Sequence, residues 1–141
     1  MGIRTIIFRG KRKDNGEWVY GGIYYQKADE VKEEAAYIIG GSLNNVGVAY
    51  EVIPETVGQY TGLTDKNGKM IFEGDIVKAY DDTYDNGFAE VKGKVFFNCG
   101  SFDIDVEDVG YIPLYSYGTE NIEVIDNIHG GIDDSKKSEK D

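Results

Sequence analysis

Hydrophobic and polar residues alternate with a period of two over much of the chain, the pattern of strands with one face buried. The clearest run sets Phe102, Ile104 and Val106 between Asp103, Asp105 and Glu107. It predicts a strand with the apolar set inward and the three acids on the wet face. Near the start, a strand is expected over Ile3 to Arg9, followed by Lys13-Asp14-Asn15-Gly16, whose Asn-Gly pair favours a tight hairpin turn. A second strand then runs from Glu17 to Tyr25, with Trp18, Tyr20 and Gly22 on one face and Val19, Gly21 and Ile23 on the other. Further strands are expected over Val46 to Val52, Ile76 to Tyr80, Ala89 to Phe97, Tyr111 to Tyr115 and Ile122 to Ile128. Pro54 ends the first of these, because it has no N–H to offer a ladder.

One segment breaks the period of two. In Ala28 to Ile39, Val31, Ala35 and Ile38 recur at helical spacing, and Asp29 can cap the N-terminus. Asp29, Glu30, Glu33 and Glu34 suit the positive end of a helix dipole, and Gly40-Gly41 would stop it. A short helix is therefore expected there. The remaining short strands, spaced by roughly ten residues, suggest a closed or partly closed barrel. Residues 130–141 have no apolar period and read as a disordered tail. The fold class is mainly β, with residues 1–129 as one unit: a hairpin and helix part over 1–56 and a barrel part over 57–129.

The chain has 141 residues, the size of one domain. Its apolar runs, such as Thr5-Ile6-Ile7-Phe8, are too short to span a bilayer, and the start lacks the pattern of a signal peptide. A cytoplasmic location is expected. Cys99 is the only cysteine and His129 the only histidine. No internal disulfide is available, and a zinc site or a nucleophilic triad would lack its usual residues. The net charge of −11 is uneven. Residues 1–13 hold five basic residues and no acid, whereas residues 14–130 hold 22 acids and 7 bases. Binding to a phosphate backbone needs a positive surface, so nucleic acid is an unfavoured partner.

Asp65-Lys66-Asn67-Gly68 looks like part of a calcium loop, but aligning Gly68 to its glycine position leaves Leu63 and Gly74 where ligands belong. A hairpin turn explains it better. Asp81, Asp82 and Asp85 fail the same test and read as a solvated loop able to hold a divalent ion weakly. Asp103, Asp105, Glu107 and Asp108 suggest a glycosidase pair, but that chemistry needs two facing carboxyl groups about 5–9 Å apart, and residues 103, 105 and 107 lie along one strand face, outward from the apolar set. No catalytic residue, cofactor or metal ligand is assigned. Arg9, Lys11, Arg12 and Lys13 are the candidate contacts for an anion or a partner. Their positive charge could also meet the acidic body of a second copy. The eleven Tyr, six Phe and one Trp belong mainly to the core, and any that are exposed together would mark a protein–protein surface.

Three neighbouring runs carry a family resemblance: Val57-Gly58-Gln59-Tyr60-Thr61-Gly62-Leu63, Asp65-Lys66-Asn67-Gly68-Lys69 and Ile71-Phe72-Glu73-Gly74-Asp75-Ile76-Val77. Together they resemble the YopX family of phage and prophage proteins. Ile6-Ile7-Phe8-Arg9, Trp18 to Gly21 and Ile122 to Ile128 extend the likeness to nearly the whole chain. The sequence departs from the family at Asp126, where glycine is common, and in its charged tail. The resemblance implies a β-rich fold with an SH3-like barrel in the C-terminal part, and brings no enzymatic activity or cofactor. In this reading Gly74 takes a positive φ, and Asp75 bonds nearby backbone N–H groups as its strand begins. The expected function is that of a non-enzymatic phage accessory protein. It would act by protein–protein interaction, as a homo-oligomer or with a host or phage protein. The alternative is a nucleic-acid binder through the basic arm, or an acidic nucleic-acid mimic.

Overall fold

A computed structural model describes residues 4–43, 46–81 and 89–130. The chain divides into two compact units at Tyr60 and Thr61. The first contains β1 (Phe8–Lys11), β2 (Trp18–Gln26), β3 (Ala35–Leu43), β4 (Val46–Val52) and the start of β5 (Gly58–Thr64). The second contains the rest of β5, then β6 (Met70–Phe72), β7 (Asp75–Asp81), β8 (Ala89–Asn98), β9 (Ser101–Val106), β10 (Gly110–Pro113) and β11 (Ile122–Asn127). The strands form two antiparallel sheets, of order β4-β3-β2-β1-β5-β6 and β10-β9-β8-β7-β11. The fold is mainly β, as the alternation predicts. Neither sheet forms a closed barrel among the described residues.

The expected helix over Ala28 to Ile39 is not formed. Its first half is a turn in which Asp29 Oδ1 accepts the N–H groups of Val31 and Lys32 at 2.9 and 2.7 Å. The second half is β3, paired with β2 on one side and β4 on the other. Ala36 and Ile38 are fully buried, while Ile39 is exposed. Strand pairing on both sides of the β-branched run overrides a helical spacing that rests on three residues.

In the first unit the hairpin forms as expected, with Gly16 at φ 75° and its N–H bonded to the Arg12 carbonyl at 2.9 Å. Its first strand starts later than the pattern suggests, at Phe8. Ala36, Ile38 and Val52 form the core, with Phe8, Val19, Ile23 and Val57 packed against it. The end of β4 also reaches the end of β1 through an Arg12–Val52 bridge, flanked by Ile53 N–H to Lys11 O at 2.8 Å and Lys13 N–H to Glu51 O at 3.0 Å.

The second unit is built on a four-strand meander, β7 to β10, with β11 returning beside β7. Val77, Val95, Ile104, Leu114 and Ile122 are all at most 1 % exposed and fill its core. Each such side chain contributes roughly 1.5–3 kcal/mol by burial. The Glu73-Gly74 turn behaves as expected: Gly74 has φ 91°, and Asp75 Oδ2 accepts the Phe72 N–H at 2.8 Å. The acidic cluster at Asp81, Asp82 and Asp85 and the tail from 131 onward lie outside the described side chains.

Candidate interaction surface

The basic residues singled out in the sequence all lie on β1 and the turn that follows. The structure gives each of them a close neighbour within the first unit. Arg9 is 5 % exposed, its guanidinium 4.5 Å from the centre of the Trp18 ring. The Lys11 ammonium lies 5.4 Å from the same ring. A cation over an indole face is stabilised by the ring quadrupole, the more so when desolvated. Arg12 makes a two-pronged contact with Asp14, Nε to Oδ1 at 2.9 Å and Nη2 to Oδ2 at 2.7 Å, and its guanidinium lies 4.4 Å from the Tyr50 ring centre. These bonds raise the Arg12 pKa and lower that of Asp14 from their ordinary values. Lys13 Nζ pairs with Glu51 Oε2 at 3.3 Å. The open depression beside them, ≈ 390 Å³ and lined by Arg12, Lys13, Asp14, Ala49, Tyr50 and Glu51, is thus of mixed charge.

Chain topology explains this arrangement. The tight turn places Asp14 two residues from Arg12, and the bridge to β4 brings Tyr50 and Glu51 alongside Arg12 and Lys13. The sequence shows five bases without an acid up to Lys13, but the acids that meet them come from the turn and from a strand almost forty residues later.

Of the ten large apolar side chains left exposed among the described residues, five are aromatic: Tyr24, Tyr25, Phe97, Tyr111 and Tyr115. In the first unit, Tyr24 and Tyr37 are direct cross-strand neighbours with ring centres 6.1 Å apart, and Tyr24 is 55 % exposed. In the second, Phe96 meets Tyr111 edge-on at 4.9 Å, and Phe97 meets Phe102 at 5.2 Å. Tyr111 and Tyr115 are largely exposed.

Two carboxylates are buried where the sequence pattern gives no such signal. Asp103, expected on the wet face, is 6 % exposed. It lies between Phe96 on β8 and Pro113 on β10 in the ladder, and accepts hydrogen bonds from Asn98 Nδ2 at 3.0 Å and Ser101 Oγ at 2.7 Å. Asp105 and Glu107 are exposed as expected. Asp65 is also buried, its two oxygens accepting three backbone N–H groups, those of Asn67, Lys69 and Val124. This is the role of a turn organiser, and the Asp-x-Asn-Gly spacing was its only sequence signal. Among the described residues, no group of three His, Cys, Asp or Glu is placed to hold a metal ion. Cys99 is exposed at the β8–β9 turn, and no described helix is long and apolar enough to cross a membrane.

Comparison with known proteins agrees with this architecture. The family model for YopX protein matches residues 7–131. The crystal structure of protein EF1440 from Enterococcus faecalis is similar over 90% of this chain and 95% of that one, at 23% sequence identity and a TM-score of 0.50. That likeness concerns the fold. A search of curated proteins returns no match.

Proposed function

The chain belongs to the YopX protein family, and from that membership we propose that it is a non-enzymatic, phage-encoded accessory protein of the cytoplasm that works by binding protein, as a homo-oligomer or with another chain. One contrast carries this reading. The cations of the N-terminal strand are engaged by Trp18, Tyr50, Asp14 and Glu51 within their own unit. Tyr24, Phe97, Tyr111 and Tyr115, by comparison, are each more than half exposed. Exposed aromatic side chains are enriched where proteins meet, because they bury a large area at little cost in side-chain entropy. A basic strand already satisfied locally is a poor footprint for a phosphate backbone. The SH3-like reading of the second unit belongs to the same proposal. A four-strand meander, a 3-10 turn at Leu114–Ser116 and a last strand returning beside the first support it.

The test is a tagged pull-down from a lysate of the cells that naturally carry the protein, with and without nuclease, read by mass spectrometry. One protein recovered in both arms is the expected result. Recovery that vanishes with nuclease would move the reading to nucleic acid. A mass measurement of the purified chain, showing one copy or several, reports on the homo-oligomer.

A further inference from the structure

Of the four strands that end the two sheets, three have a closed or shortened outer side. On β11 the Ile122 carbonyl and the Val124 N–H are taken by Lys66 and Asp65. β6 is three residues long, and its Phe72 N–H is bonded to Asp75. β10 is four residues long and ends in Pro113, which has no N–H to offer. β4 differs. Its C-terminal end meets β1, where Lys13 N–H bonds the Glu51 carbonyl at 3.0 Å. That carbonyl faces away from β3, and alternation along the strand turns the backbone groups of Ala49 and Gly47 to the same side. Among the described residues no hydrogen bond reaches them there.

The usual protections of an edge are also missing. Val46 to Tyr50 hold no charge and no proline, and Gly47 and Ala49 are exposed. The strands behind, Trp18–Gln26 and Ala35–Leu43, are uncharged as well. Ile39, 45 % exposed, stands directly opposite Ala49. The charges beside the edge cancel, since Arg12 is bonded to Asp14 and Lys13 to Glu51. These four line the open depression together with Ala49 and Tyr50. The acids of residues 29–34 precede Ala35, and so lie past Val52, at the opposite end of β4 from Gly47.

Resting on the protein-binding reading above, we infer that β4 pairs with the β4 of a second copy, antiparallel about a two-fold axis at Val48. Gly47 then faces the second copy's Ala49, and Ala49 faces its Gly47. Each such pair exchanges both of its N–H···O bonds, and the two Val48 residues meet across the axis. The block at Glu51 sets the register, because a strand placed further along β4 would collide with Lys13, already bonded there. Charge selects the same occupant. A chain of net charge −11 repels its own copy wherever acids dominate, and this edge is a neutral approach. A strongly charged foreign segment gains nothing here, because Arg12, Lys13, Asp14 and Glu51 have already used one another.

The test is sedimentation equilibrium of the full chain over a concentration series. A strand pair buries less than a standard interface, so a two-copy species with a micromolar dissociation constant is expected. Ala49→Pro removes only the outward N–H, a change that edge strands tolerate. Ala49→Lys, at an exposed position, places a charge on each side of the axis. Each should weaken association about tenfold or more, and salt should partly restore the lysine variant. Tyr111→Ser, in the second unit, should change nothing. Circular dichroism checks folding, and the lysine variant decides if the proline variant unfolds. Register is read separately in a Cys99→Ser background with oxidised glutathione. Val48→Cys should give a disulfide-linked pair, because residues meeting at such an axis have Cα atoms about 4.5 Å apart. Ala49→Cys, roughly 7–8 Å from its copy, should link far more slowly. A monomer at every concentration, an oligomer untouched by both Ala49 variants, or faster linkage at 49 than at 48 overturns the inference. With a monomer, a partner still recovered in the pull-down leaves the protein-binding reading standing, whereas no partner removes that reading too.

Discussion

The carboxylate of Asp65 accepts a hydrogen bond from the backbone N–H of Val124 at 3.0 Å, joining residues 59 apart in sequence. Its other oxygen accepts the N–H groups of Asn67 and Lys69 at 2.8 and 2.9 Å. One buried acid therefore orders a turn and fastens the last strand to it, helped by Lys66 N–H to Ile122 O at 2.8 Å. Removing it strands three donors. Asp65→Ala should cost about 3 kcal/mol and lower the thermal midpoint by of the order of 10 °C. Asp65→Asn should cost less, because an amide keeps one accepting oxygen. A loss no larger than that of the exposed Lys66→Ala would refute this role.

Gly93 tests the packing of β8 against β9. A Cβ there would lie 2.1 Å from the Asp105 carbonyl oxygen and 2.9 Å from Ile104 Cγ2. The obstacle is backbone, so the strands must part. Gly93→Ala should destabilise the protein by about 3 kcal/mol. Gly22 is the internal control: its nearest neighbour is the Ile39 oxygen at 3.9 Å. Gly22→Ala should be neutral or stabilise by up to about 1 kcal/mol, since alanine restricts the unfolded chain. Similar midpoints for the two variants in chemical unfolding would contradict the argument.

How much of this was legible depended on whether the cause was local. Gly74 and Asp75 were readable, because a positive φ and an Asx-type hydrogen bond are set by adjacent residues. The hairpin at Asn15-Gly16 was readable for the same reason. β3 was not, because what makes Ala36 and Ile38 strand residues is pairing to β2 and β4, and their local spacing also suits a helix. Asp103 was misplaced on similar grounds. Period-two alternation assigns it to the outer face correctly, but outer faces can be covered, and the Phe96 and Pro113 that flank it lie on other strands. The basic arm was identified from composition, while the partners of Arg12 and Lys13 on β4 appear only once β4 folds back to β1.

That last point gives a prediction about nucleic acid. With Arg12 and Lys13 held by Asp14 and Glu51, the full chain should bind a random-sequence DNA duplex more weakly than about 10⁻⁴ M at physiological salt. The double substitution Arg12→Gln, Lys13→Gln should leave that unchanged in a fluorescence-anisotropy titration. Saturable micromolar binding, lost in the double variant and steeply weakened by salt, would restore the nucleic-acid reading.

The contact between Tyr25 and Glu34 predicts an alkaline transition in one loop. The Tyr25 hydroxyl donates to the Glu34 carboxylate, and Gln26 Nε2 donates to the Glu33 carbonyl at 2.9 Å. Together they tie the segment before β3 to the end of β2. The hydrogen bond to Glu34 raises the Tyr25 pKa, with burial and the Glu34 charge adding to it. A group with a raised folded pKa stabilises fully below its unfolded value, about 10 for tyrosine, and the contribution is lost as pH rises through the folded value. The loop over residues 27–34 should therefore keep its structure across neutral pH and loosen only above that range. Both groups are solvent-accessible, so global stability should barely change. NMR of the ring carbons should show Tyr25 titrating at higher pH in the unaltered protein than in Glu34→Gln, which removes the charge but keeps the length. Tyr25→Phe should abolish the alkaline change in amide exchange over 27–34. If Tyr25 titrates at the same pH with and without the Glu34 charge, the contact does not hold the loop in solution.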